Sequence, residues 1–221
     1  MTERIETVII DDSLMREVWF SMGYLGAVPE QQIRDRAFEI AGRLVPEARL
    51  RYAYDIVPAE KLSPATVSLG GKVFEPEGII CSYLKGMTQA CVFVGTAGAE
   101  FDSAVREMKE EEDILADFIA DSIGSVLAER TVSLLEKELE KLGIGVSMPY
   151  SPGYCGWDIK EQHIFFSLFP PQPCGISLSE SSLMSPEKSV SGFFAMGEEL
   201  IKQPYHCEIC RNTKCFKRRR K

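Results

Sequence analysis

At 221 residues, with 45% hydrophobic and 26% charged side chains, the chain is long enough for one sizeable core and too apolar for wholesale disorder. No apolar run approaches the roughly 20 residues that cross a bilayer, and Met1 to Ile10 carries Glu3, Arg4 and Glu6 in place of a signal-peptide pattern, so the reading is a cytoplasmic globular protein with no membrane partner. The net charge of −8 is uneven: Cys207 to Lys221 holds seven basic residues against Glu208, which makes this stretch +6 and the remainder −14, and an acidic body argues against nucleic acid as a partner.

In chain order, Pro29 to Leu44 places Ile33, Ala37, Ile40, Ala41 and Leu44 on one stripe and predicts an amphipathic helix that Pro46 ends. Arg49 to Val57 alternates Leu50, Tyr52, Tyr54 and Ile56 with Arg51, Ala53 and Asp55, the period of a half-buried strand, terminated at Pro58. Gly70 and Gly71 between Thr66–Leu69 and Lys72–Phe74 predict a short hairpin. A helical turn is expected over Ile79 to Lys85 and a buried strand at Cys91 to Val94. A helix carrying Phe101, Val105 and Met108 follows Gly98.

The longest pattern runs from Ile114 to Leu142, with apolar residues at three- and four-residue steps. It predicts one long helix, or two with a bend near Gly124, preceded by the acidic run Glu110 to Asp113 that suits the positive end of a helix dipole. From Gly145 onwards periodic order gives way to turns (Pro149, Pro152, Gly153, Gly156, Pro170, Pro171, Pro173, Gly175), and loops of this density carry function more often than helices do. His163, inside an apolar stretch, reads as a buried or half-buried histidine and not as a ligand.

Tyr150-Ser151-Pro152-Gly153-Tyr154 is a tight turn by composition, able to present backbone amides and the Tyr154 hydroxyl to a ligand. It is followed in order by Trp157, Gln162-His163-Ile164-Phe165, Gly175 to Pro186 and Lys188-Ser189-Val190-Ser191-Gly192. This set resembles the activation domain of cobalamin-dependent methionine synthases, over residues 79–195 by motif and over the first 78 by general layout.

The resemblance implies an α+β fold, a twisted, largely antiparallel sheet with flanking helices, and S-adenosylmethionine in a shallow groove. It implies reductive methylation of cobalamin supplied by a partner protein, a corrinoid-binding methyltransferase served by an electron donor protein. Carried over residue by residue, it places Ser151, Pro152, Gly153 and Tyr154 in the ligand-contacting turn and the acid of the long helix at Asp121, with Glu180 inside the second motif. Where the family commonly has an arginine for the ligand carboxylate, three positions before the proline of the turn, this chain has Pro149.

Seven cysteines without a secretion signal read as thiols or metal ligands, not as a disulfide framework. Cys81 and Cys91 have apolar neighbours and are expected in the core. Cys207, Cys210 and Cys215 have metal-ligand spacing: an iron-sulfur cluster with Cys155 or Cys174 as fourth ligand, zinc with His206 or another cysteine, and redox-active thiols all fit. The expected organisation is an activation-like domain over 1–206 and a Cys-rich basic tail over 207–221.

The expected function is that of a free-standing accessory protein that reactivates a corrinoid methyltransferase, an enzyme only in partnership. The alternatives are an iron-sulfur or zinc-containing corrinoid-protein reductase or scaffold that no longer binds S-adenosylmethionine, and a metal-stabilised interaction domain.

Overall fold

The computed structural model describes residues 1–109 and 113–203. Along the chain lie β1 (Thr2–Glu6), α1 (Asp12–Trp19), α2 (Gln31–Leu44), β2 (Leu50–Lys61), β3 (Val67–Leu69), β4 (Lys72–Phe74), α3 (Glu77–Ser82), β5 (Gln89–Thr96), α4 (Ala99–Lys109), α5 (Ile114–Glu140), β6 (Gly145–Tyr150), α6 (Gln162–Phe166), β7 (Ser177–Leu178), β8 (Met184–Ser185) and β9 (Ser189–Gly197). One sheet runs in the order β4-β3-β2-β5-β9-β6, with β1 also paired to β2, and every pairing is antiparallel. Strands β7 and β8 form a separate small hairpin.

The expected α+β class and antiparallel sheet are found, with one correction at Pro58. Strand β2 runs through this proline to Lys61, and Pro58 stays in register with Gln89 of β5. Proline lacks a ladder donor. The Ala59 amide turns towards β5 and bonds the Thr88 carbonyl (3.1 Å), so the imide nitrogen of Pro58 faces the other side of β2. There it falls in the gap between the last β1 pairing, at Tyr54, and the first β3 pairing, at Ala59, where no donor is needed.

The central strands are buried on both faces, which is why β5 reads as a continuous apolar run. On one face Cys91 and Phe93 of β5 and Phe194 and Met196 of β9 meet Val132, Leu135 and Leu139 of α5. On the other, Val92, Val94, Phe193 and Ala195 meet Tyr150 of β6, Trp157 of the segment that follows it, Phe165 of α6 and Phe74 of β4. The N-terminal half of α5 leaves the sheet and packs with α1, α2 and α4 through Leu14, Val18, Ile40, Phe101, Ile119 and Ile123.

Helix α5 is a single helix of 27 residues, started by Asp113, whose carboxylate accepts from the Ala116 amide at 3.0 Å. Gly124 does not bend it. A Cβ there would come within 2.7 Å of Phe101 and 2.6 Å of Lys188, so the glycine leaves room for two side chains crossing the helix.

Strand β6 was not foreseen from the sequence. It is an edge strand with a register shift between Val146 and Pro149, and both circumstances admit a proline. No helix of the described residues is long and apolar enough to cross a membrane.

Candidate functional site

The site is built where β6 stops and β9 continues. Strand β9 pairs with β5 along its whole length, from Ser189↔Thr96 to Met196↔Gln89. On its other side β6 covers it only as far as Tyr150↔Phe193. From Ser189 to Gly192 that second edge has no strand partner among the described residues. An unpaired edge offers backbone donors and acceptors to whatever lies beside it.

The turn that follows β6 closes one end of this edge. Gly153 N–H donates to the Trp157 carbonyl (2.9 Å), Tyr154 N–H to the Ser151 carbonyl (3.1 Å) and Trp157 N–H to the Tyr154 carbonyl (2.8 Å). Three amides between residues 151 and 157 are therefore spent on the turn's own shape. The Ser151 hydroxyl donates to the Ser191 carbonyl and fastens the turn to β9, and Pro152 is buried. Tyr154, at the end of the turn, is 47% exposed. A Cβ on Gly192 would lie 2.5 Å from the Tyr150 carbonyl and 2.8 Å from Ser151 Oγ, so only glycine lets the turn approach this closely.

An aromatic base makes the turn rigid. Trp157 is 1% exposed and edge-on to both Phe74 (6.0 Å) and Phe193 (6.0 Å). Its indole N–H donates to Glu161 at 2.7 Å, and the same carboxylate accepts from the Glu75 amide at 3.0 Å. A buried indole needs such a partner. Tyr150 stacks on Tyr83 at 6.5 Å, and burial pushes its phenol above the ordinary range, with Tyr83 and Cys155 adding to the effect.

Lys188 and Asp121 mark the other end. The Lys188 ammonium bonds Asp121 Oδ1 at 2.6 Å and Ser125 Oγ at 3.3 Å. The Lys188 carbonyl accepts from the Ala97 amide at 2.9 Å. Lys188 directly precedes β9, three residues before Ser191, so at ~3.3 Å per residue the turn and the ion pair are about 10 Å apart along the strand. The turn approaches from the aromatic face of the sheet and Lys188 reaches the α5 face.

Of the residues singled out in the sequence, Ser151 touches β9 directly, Pro152, Gly153 and Tyr154 follow it in the turn, and Asp121 meets Lys188 just before β9 begins, on the α5 face. Glu180 sits apart, exposed at the tip of the β7–β8 hairpin. That hairpin is held by Ser179, whose amide donates to the Leu183 carbonyl (2.9 Å) and whose hydroxyl accepts from the Leu183 amide (3.0 Å). Glu180 takes no part in these bonds. His163 is exposed on α6, a correction to the buried or half-buried reading: Gln162 and Phe165 occupy the inward side of that short helix. Lys188 and Ser191 were missed as site residues, since their partners lie 67 and 40 residues away and leave no local pattern.

Cys81 and Cys91 are core residues as expected, and burial pushes the Cys91 thiol up to about 12. Cys207, Cys210, Cys215 and His206 lie outside the described residues. Of the two suggested fourth ligands, Cys174 is buried and its thiol is likewise pushed up to about 12 by burial, which disfavours the thiolate that binds metal. Cys155 is half-buried within the turn, at a φ of 50°. Among the described residues no three His, Cys, Asp or Glu side chains cluster as a metal site.

The family described as vitamin B12 dependent methionine synthase, activation domain, matches residues 84–206, a stretch that holds the turn, Asp121, Lys188 and all of β9. Among solved structures, the MetH reactivation domain bound to AdoHcy is similar with a TM-score of 0.65 at 16% sequence identity, over 92% of this chain and 79% of that one. The similarity of fold therefore extends upstream of the matched family segment. No curated protein matches the chain. The chain belongs to the vitamin B12 dependent methionine synthase activation domain family.

Proposed function

We propose that the open edge of β9 binds S-adenosylmethionine and presents its methyl group to cobalamin carried by a separate corrinoid-binding methyltransferase, methionine synthase being the partner the family points to. In this reaction one electron from a donor protein takes cobalt from the +2 to the +1 state. The S–CH3 bond then breaks with its pair on sulfur, a Co–C bond forms, and S-adenosylhomocysteine leaves. The protein's part is to hold the sulfonium methyl in line and keep the ligand oriented.

The observation that carries this reading is the family segment itself, whose turn sits against the unpaired stretch of β9. The residues present suit the ligand's chemistry. The Ser189 carbonyl faces the unpaired side of β9 and can meet the nucleoside, Tyr154 is exposed on the turn, and Asp121 offers a carboxylate to a cationic group. Ser151 acts as a brace for the turn and Pro152 and Gly153 set its shape, while Glu180 contributes only if the β7–β8 hairpin folds over the ligand.

Residues 1–206 act in this reading as one activation domain in the cytoplasm, with 207–221 an appended Cys-rich basic segment. Titration calorimetry with S-adenosylmethionine and S-adenosylhomocysteine tests it: saturable binding is expected, and no heat at millimolar ligand refutes it.

A second reading is favoured by Pro149, which puts a bulged edge strand where the family has an arginine, together with the Cys207, Cys210 and Cys215 spacing. There the protein is a corrinoid-protein reductase or scaffold with an iron-sulfur cluster or zinc. Iron, zinc and sulfide analysis of anaerobically purified protein, before and after replacing Cys207 and Cys210 with serine, decides it: stoichiometric metal lost in the variant supports this reading, and protein without metal dismisses it.

A further inference from the structure

On the S-adenosylmethionine reading above, we propose that Lys188 is the cation that receives the α-carboxylate of the ligand, with Asp121 taking its α-ammonium. Between residues 145 and 195 the chain holds two basic side chains other than His163, Lys160 and Lys188. Lys160 sits in the short helical turn Ile159–Glu161 beyond the buried Trp157. Lys188 is contiguous with the unpaired edge, since the next residue is Ser189.

Its position is built by the fold. The aliphatic stem lies across Gly124, where a Cβ would come within 2.6 Å of Lys188 Cγ and 3.0 Å of Cδ. A glycine inside a helix costs roughly 1 kcal/mol relative to alanine, so α5 bears a local penalty that makes room for this side chain. The Lys188 side chain is only 16% exposed, whereas its partner Asp121 is 61% exposed. An ammonium has three donors. Two are bonded, to Asp121 and Ser125, and among the described residues no group takes the third.

The pair matches the amino-acid end of the ligand in charge and order. A zwitterion entering along β9 exchanges one ion pair for two: carboxylate to Lys188 and ammonium to Asp121, each a charge-assisted hydrogen bond. The nucleoside then extends along the strand towards Tyr154, over the roughly 10 Å that separate Lys188 from Ser191.

The test compares two ligands that differ only in the carboxylate, S-adenosylhomocysteine and its decarboxylated thioether, on wild-type protein and on Lys188→Met. The expected result is that Lys188→Met weakens S-adenosylhomocysteine about tenfold or more, the loss of one charged contact, and leaves the decarboxylated ligand within about twofold. Equal weakening of both ligands shows a merely structural lysine and overturns the assignment, as does no weakening of either. Urea midpoints verify folding, and Lys188→Gln, which keeps the stem and a donor, gives the same discrimination if Lys188→Met does not fold. Failure of the wild type to bind S-adenosylhomocysteine overturns the ligand reading itself, an outcome distinct from a wild type that binds without using Lys188.

Discussion

The two halves of β9 carry opposite burdens within nine residues. From Phe193 to Gly197 the strand is flanked by β5 and β6, and Phe193, Phe194, Ala195 and Met196 are fully buried on alternating faces. From Ser189 to Gly192 it keeps β5 on one side but loses β6 on the other, and its neighbours become a turn, an ion pair and two hydroxyls. One strand thus serves as core at one end and as a polar edge at the other. Ending a neighbouring strand early is a way to expose backbone groups without a hole in the core.

The strongest way to probe the core half is Phe194→Ala, which empties a fully buried aromatic site and should cost about 3–5 kcal/mol in urea unfolding. The fraction that remains folded should bind S-adenosylhomocysteine as the wild type does. A selective loss of binding would mean that the two halves are not separable. Gly192→Ala acts at the boundary. The added methyl must displace the Tyr150 carbonyl or Ser151, for a stability cost of about 1–3 kcal/mol, and because it lifts the turn from β9 it should weaken ligand binding roughly tenfold or more in calorimetry.

Trp157→Phe keeps most of the ring packing but removes the indole donor to Glu161, leaving that carboxylate the Glu75 amide; about 1–2 kcal/mol of lost stability is expected. This change sharpens the comparison by loosening the base of the turn without touching the edge. The smallest effect concerns Glu138, at the far side of the sheet. Burial pushes its carboxyl up, but the Tyr52 and Tyr54 hydroxyls, at 2.8 and 3.0 Å, and Arg4 outweigh burial and hold it below the ordinary range. A depressed carboxyl stabilises the fold above its unfolded value, about 4.3, and that contribution fades as pH falls through the lower folded value. The gap in urea midpoint between wild type and Glu138→Gln should therefore narrow between pH 6 and about 3, with ligand affinity at pH 7 unchanged.

Much of the fold was legible because period and burial coincide there. The α2 stripe, the Gly70–Gly71 hairpin, the apolar run of β5 and the long α5 pattern each announce a local geometry that tertiary contacts then reinforce. Strand β6 was hidden because an edge strand with a bulge needs no regular alternation, and β2 passes Pro58 because its missing donor falls between two neighbours. The site was half legible. The turn at 151–154 has a composition that fixes its geometry, and the family match covers it. The unpaired edge and Lys188 were not, since both arise from register and from a contact with Gly124 across the fold.

Amide chemical-shift mapping with S-adenosylhomocysteine tests the central claim most directly. If the open edge is the ligand site, the largest shifts fall on Ser189 to Ser191 and on residues 151–157, with Ala195 to Gly197 nearly still. Saturable binding whose shifts concentrate elsewhere, for instance between α1 and the C-terminal half of α5, would contradict it.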